Sequence, residues 1–186
     1  MDIFSAFGLS ASAGLNAYIP LLVVALLGRF TNLITLTPPW DDLESWWVIG
    51  VLVLLSVVEF FADKIPAINH VNDVIQTVIR PVAGAIVFAA SAQIITNVHP
   101  VLAMVMGLFV AGVVHTIKSV AVRPAITVTT GGVGNVPASI AEDILSTILS
   151  ILAAVTPVLI AVILVLAGAL LVWWIWRRIN RIRAPV

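Results

Sequence analysis

Glu59 and Asp63 stand four residues apart at the end of an otherwise apolar stretch, WWVIGVLVLLSVVEFFA, with Ser56 on the same helical face. A carboxylate is expensive to bury in lipid, so these acids must face protein, water or a cation. Two chemistries suit them: hard oxygen ligands for a cation, or acceptors for a proton. The plainer alternative is an interfacial pair neutralised by the adjacent Lys64. Two further acids, Asp73 and Asp143, are candidates to complete the charge set. They occupy equivalent places in "NHVNDVIQTVI" (69–79) and "SIAEDILSTIL" (139–149), which align without gaps. Each segment reads as a helix start with an acid in its first turn, and Ser139-x-x-Glu142 has the form of a capping box.

Polar residues also interrupt the apolar background elsewhere. In "GLSASAGLNAYIPLLVVALLG" (8–28), Ser12 and Asn16 share a helical stripe with Ser5 and Gly8. Such a stripe packs helices through small residues, or else Asn16 lines a polar cavity with Pro20 freeing a backbone carbonyl. Ala103, Gly107, Ala111 and His115 recur every four residues as a close-packing ridge ending in histidine beside Lys118. A hydrogen-bonded structural role competes there with proton transfer. In "RPAITVTTGGVGNVPASIAED" (123–143), Thr127, Thr129 and Thr130 suit an extended or unwound strand, and the glycines permit left-handed turns. Its amides suit an anion or a carbonyl, although a plain interfacial loop has the same composition. "SASAGLNAYIP" (10–20) and "TVTTGGVGNVP" (127–137) share hydroxyls, glycine, an asparagine (Asn16, Asn135) and a closing proline. This predicts paired discontinuous elements around one central site. The expected binding set is Ser12, Asn16, Glu59, Asp63, Asp73, His115, Thr129, Asn135 and Asp143. No catalytic residue is assigned, and whether a metal is bound stays open.

These residues need helices in lipid to hold them. Of 186 residues, 61% are hydrophobic and 10% charged, with zero formal net charge and no cysteine. Mean hydropathy is +1.17. Soluble domains carry roughly a quarter charged residues, so the chain reads as an all-α polytopic membrane protein. Zero net charge argues against nucleic acid. The lack of cysteine excludes disulfides and thiolate sites. No basic region precedes the first apolar stretch, so no cleaved signal peptide is expected.

Five stretches suit crossing: Ile3 to Gly28, Trp46 to Ala62, Pro81 to Thr96, Val101 to Ile117 and Ile144 to Trp176. The last would reach about 50 Å as one helix, so it is one long tilted helix or two pieces broken near Thr156-Pro157. The ending "WWIWRRINRIRAPV" places the C-terminus on the cytoplasmic side. The acidic loop "TPPWDDLESWW" is placed outside. With Ile3 to Gly28 as one crossing, the N-terminus is then inside, and an even number of crossings is required. Five or six spans, with broken or re-entrant segments, are therefore expected. The chain is read as a single membrane domain, 1–186, with possible repeat units at 46–97 and 100–176.

"GLSASAGLNAYIPLL", "EFFADKIPAINHVND" and "RPAITVTTGGVGNVPASIAED" together resemble a widespread bacterial integral-membrane family catalogued as a domain of unknown function. The resemblance covers nearly the whole chain. It implies a multi-pass inner-membrane protein and carries no catalytic residues over. The leading expectation is a small-solute or ion transporter or channel, in contact with membrane lipids, with a homo-oligomer as one open arrangement and with no cofactor. The alternative is a structural, lipid-organising or lipid-translocating protein. An enzyme is not expected: His-Glu-x-x-His, Gly-x-Ser-x-Gly and a cysteine nucleophile are all missing.

Overall fold

The computed structural model of the chain describes residues 3–92 and 98–183, and their side chains except at 66–71, 167, 171, 175 and 178–183. The described residues form helices and connectors, with no strand among them. The helices are α1 (Ile3–Leu15), α2 (Tyr18–Phe30), α3 (Trp46–Ala62), α4 (Pro66–Ala92), α5 (Pro100–Ile117), α6 (Arg123–Thr130), α7 (Asn135–Val155) and α8 (Pro157–Arg183). A 3₁₀ turn, Trp40–Glu44, precedes α3, and a π-helical segment, Lys118–Val122, joins α5 to α6. The stretches Asn72–Ala92, Pro100–Thr130, Asn135–Val155 and Pro157–Trp174 are long and apolar enough to cross a membrane. Helix α3 is shorter, at 17 residues. This is the polytopic helical architecture that the composition demands.

Helix α1 is the centre of the bundle, packed on α4, α5 and α7. Small residues make this possible. A side chain at Gly8 would overlap Ala153 and Ile160, and one at Gly14 would overlap the Ala111 carbonyl and Val114. Where α4 crosses α5, Gly84 and Gly107 lie backbone to backbone, each blocking a β-carbon on the other. Removing β-carbons lets helix axes approach closely, and dispersion contacts then replace the absent hydrophobic drive in lipid. The small-residue ridge of α5 is buried at Ala103, Gly107, Ala111 and His115.

The first apolar stretch is not one crossing, which corrects the sequence expectation. Helices α1 and α2 have 13 residues each, or about 20 Å, against a hydrocarbon core of roughly 30 Å. They form a hairpin that enters and leaves at the same end of the bundle. Ile3 and Phe7 at the start of α1 pack in one cluster with Phe88, Ala92 and Trp40, and Phe7 meets Phe88 edge to face. At the far end of α2, Arg29 donates to the Glu44 carbonyl at 2.7 Å, and Phe30 meets Trp46 edge to face. The N-terminal helix therefore starts beside the acidic loop, not across the membrane from it. The expected even number of crossings falls with that premise.

Of the two forms open to the final apolar stretch, the chain takes the broken one, with the break at Thr156 between α7 and α8. Two other expectations change. Residues 127–130 are helical, ending α6, and only Gly131 (φ 61) and Gly132 (φ 90) take the left-handed conformation that reverses the chain. The two connectors are not helix starts: α4 begins at Pro66 and α7 at Asn135, so Ser139, Glu142, Asp73 and Asp143 lie inside helices. The boundary expected at Thr96 lies outside the described residues.

Candidate functional site

A continuous helix cannot turn inside a bundle, so the tip of the α1–α2 hairpin leaves backbone groups in need of partners. Asn16 and Lys118 supply them. Asn16 Oδ1 accepts from the amides of Tyr18 and Ile19, both at 3.1 Å, and so caps α2. Lys118 Nζ donates to the Leu15 carbonyl at 3.0 Å, placing a cation at the negative end of α1. Lys118 lies in the π-helical segment, a widened turn of the kind that often marks functional positions.

Around this tip, charged side chains from five helices and their junctions form one buried network. Arg80, on α4, is fully buried. Its Nη2 donates to Glu59 Oε1 at 2.9 Å and lies 3.7 Å from Asp63 Oδ2. Arg123 lies 3.9 Å from the same Asp63 oxygen. It also grips Glu142 through two bonds, Nε to Oε1 at 3.1 Å and Nη2 to Oε2 at 2.5 Å. Lys118 reaches Glu142 Oε2 at 2.8 Å. Asn72 and Ser139 donate to Asp63 at 2.6 and 3.4 Å. Desolvating so many charges is tolerable only because each meets a counter-charge and further hydrogen bonds. Glu59 Oε2, Arg80 Nε and Arg123 Nη1 nonetheless remain buried without a hydrogen-bond partner among the described residues.

His115 is tied into the same network. Arg80 Nη1 lies 3.2 Å from His115 Nδ1. A guanidinium only donates, so Nδ1 accepts and the ring proton sits on Nε2. Nε2 then donates to Thr77 Oγ1 at 3.3 Å, while the Thr77 hydroxyl donates to the Asp73 carbonyl at 2.8 Å. On the other side of the tip, Asn16 Nδ2 donates to Asp143 Oδ1 at 3.0 Å, and Lys64 pairs with Asp143 Oδ2 at 3.3 Å.

Two openings reach this network. A cleft of about 960 Å³ is bounded by Asp63, Lys64, Asp73 and Arg123 on one side and by Thr127, the Gly131–Gly132 turn and Asn135 on the other. An apolar groove of about 580 Å³ runs between α2, α3 and α7, with Phe60, Phe61 and Ile144 as walls and Asn16 and Asp143 at its polar spot. Lys64 belongs to the cleft and Asp143 to the groove, so their ion pair separates the two.

A family model described as Domain of unknown function (DUF4126) matches residues 3–178. The chain belongs to this family. No curated protein and no solved structure matches it. In this DUF4126 protein, Asn16, Glu59, Asp63, His115 and Asp143 converge on the network, and Asp73 and Asn135 line the cleft. Ser12 serves helix packing: its hydroxyl sits 2.7 Å from those of Ser146 and Ser150 on α7. Thr129 bonds back to the Ala125 and Ile126 carbonyls of its own helix. The segments 10–20 and 127–137 do not meet at a shared site. The first contributes the hairpin tip and the second a wall of the cleft.

Sequence reasoning does not reach Arg80 or Arg123, because each adjoins a proline: Arg80 just precedes the span expected from Pro81, and Arg123 heads the glycine-rich segment 123–143. The available signal was a single arginine flanked on both sides by apolar helical periodicity. The capping-box expectation for Glu142 fails, since its partners are Arg123, at the head of the glycine-rich segment, and Lys118, just past the expected fourth span.

Proposed function

We propose that the protein is a transporter of small polar solutes or ions in the bacterial inner membrane, and not an enzyme. The observation that carries this reading is the re-entrant hairpin whose tip, Asn16, ends inside a buried charged network approached by a polar cleft. Helices broken at membrane depth, with their ends turned toward charged groups, are a recurring way to build a solute site. A merely structural bundle gains nothing from burying this many charges, since a well-packed apolar core is as stable or more so. The purified protein in liposomes should carry sodium, potassium, protons or small organic cations above the leak of empty vesicles. Asn16→Leu, which removes the cap of α2 and the bond to Asp143, should abolish that flux. A folded protein that moves none of these probes would overturn the proposal.

The apolar groove favours a second reading, lipid translocation. A fluorescent phospholipid that changes leaflet only in protein-containing vesicles, with no solute flux, would select it.

A further inference from the structure

We propose that α6 is a movable gate over the cleft, swinging on the π-helical segment and the Gly131–Gly132 turn and latched by Arg123 on Glu142. The inference deepens the transporter reading and rests on it, since the cleft is the polar approach to the hairpin tip. Helix α5, the π-helical segment and α6 run on as one helical stretch, Pro100–Thr130. Within it, Lys118 and Arg123 are five residues apart, yet both reach Glu142 Oε2. A regular α-helix would point them apart: five residues turn about 500°, which leaves the side chains about 140° from each other. Here the Arg123 amide bonds back to the Lys118 carbonyl. That is the i to i+5 bond of a π-helix, which sets residues five apart almost one above the other. The widened turn is thus what puts two bases on one carboxylate. Its return to α-helix would rotate α6 by on the order of 90° and carry Arg123 off Glu142.

The packing makes α6 the part that moves. Arg123 is the one buried residue of this helix, whereas Val128 is 84% exposed. Beyond Arg123, α6 reaches α7 through the exposed pair Thr127 and Asn135, 3.0 Å apart, whose bond water can replace at little cost. At its far end, Gly131 and Gly132 have positive φ and nothing within 4 Å of the place of a β-carbon, so the chain is free to pivot there. Lys118, by contrast, is buried and tied to the Leu15 carbonyl. Unlatching strands little charge. Glu142 keeps Lys118 at 2.8 Å, and Asp63 keeps Arg80 at 3.7 Å and Asn72 at 2.6 Å. Breaking a buried pair is costly when the survivor is left alone, and here neither acid is. Helix α6 and its turn wall one side of the cleft, facing Asp63, Lys64 and Asp73. Rotating α6 therefore changes access to everything behind them.

The chain has no cysteine, so spin labels on Val74→Cys in α4 and Val128→Cys in α6, both exposed positions, report the gate without background. Pulsed dipolar spectroscopy of the full-length protein in nanodiscs should give one main distance. Arg123→Gln removes the latch and leaves Glu142 with Lys118. It should raise the population of a second, shifted distance about tenfold or more, as expected for loss of a charge-assisted hydrogen bond. Deleting the exposed Ala121 sets the two bases four apart, on one face of an ordinary α-helix, and so removes the hinge while keeping the latch. That variant should hold the single distance even with Arg123→Gln added. An unchanged distribution in Arg123→Gln would overturn the gate, and so would a second distance that survives the deletion. If the deletion variant does not fold, the first comparison decides alone. In liposomes the deletion should suppress flux. Full flux in the locked protein would overturn the gate and leave transport standing. A second distance in Arg123→Gln, in a protein that carries no solute, would sink transport and leave the gate.

Discussion

Arg80 decides how the acids of α3 are read. By spacing alone, Glu59 and Asp63 look like a vacant cation or proton site, and neutralising either would be harmless to folding. Their cation is already present as the guanidinium of α4, with Glu59 2.9 Å away in a side-chain environment almost without solvent. Breaking a buried pair leaves the surviving charge uncompensated, at about 3–5 kcal/mol. Arg80→Met is therefore expected to destabilise the protein by about that much, because it strands Glu59 and leaves Asp63 with only the more distant Arg123 as counter-charge. Glu59→Gln should be milder, since Asp63 still faces Arg80. Denaturation of both single variants and the double variant in detergent measures the coupling. Additive losses would mean that the pair does not interact. The acids were legible in the sequence because charge in an apolar run is conspicuous. The pairing was not, because it depends on a residue 21 positions away being brought back by the α3–α4 turn. The same limit explains Asp73 and Asp143. Equivalent in the alignment, they part in the fold, one open to a cleft and the other bound to Asn16 and Lys64. A helix-dipole account fails for both, since neither lies in a first turn.

At the level of elements, glycine spacing was the most legible feature and the broken helix the least. The small residues of α5 announce a close crossing whatever the partner. That partner, Gly84 on α4, could be identified only once the helices were placed. Gly107→Leu is predicted to separate α4 from α5, since its β-carbon alone would overlap the Gly84 carbonyl and Phe88. Gly50→Leu is the control, because nothing approaches that glycine within 4 Å. Overpacking a tight core costs typically about 1–3 kcal/mol, and more where backbone is the obstacle. A melting temperature for Gly107→Leu equal to that of Gly50→Leu would show that the crossing tolerates separation. The α1–α2 hairpin escaped sequence reading for a different reason. Its two arms have the composition of a single span, and the interruption depends on Asn16 and Lys118 satisfying the freed backbone. Only the first of these is nearby in sequence. Pro20, expected to create the break, lies within α2, two residues past its start, where a missing amide is tolerated.

For the whole molecule, the hairpin changes the orientation that the charges imply. Trp40, the acidic residues Asp41 and Asp42, and the start of α1 gather at one end of the bundle. Lys64, Arg80, Lys118 and Arg123 lie toward the other, below the hairpin tip. The orientation we propose puts the C-terminal arginines in the cytoplasm, as basic residues beside a span favour; on that reading the acidic end is outside and the cleft opens inward. Helices α3, α4, α5 and α7 then cross in alternation. With Arg177 and the arginines after it on the cytoplasmic side, α8 is a fifth crossing, and the proposed arrangement has an odd count with the N-terminus outside. Reporter fusions discriminate this from the arrangement expected when residues 3–28 are one span. A reporter after Val186 should be active in the cytoplasm under both. A reporter before Met1 should be active in the periplasm only if α1 and α2 return to the side they came from. A cytoplasmic signal there would mean that the hairpin straightens into a crossing in the membrane. Asn16 and Lys118 would then lose the backbone partners that hold the charged network around them.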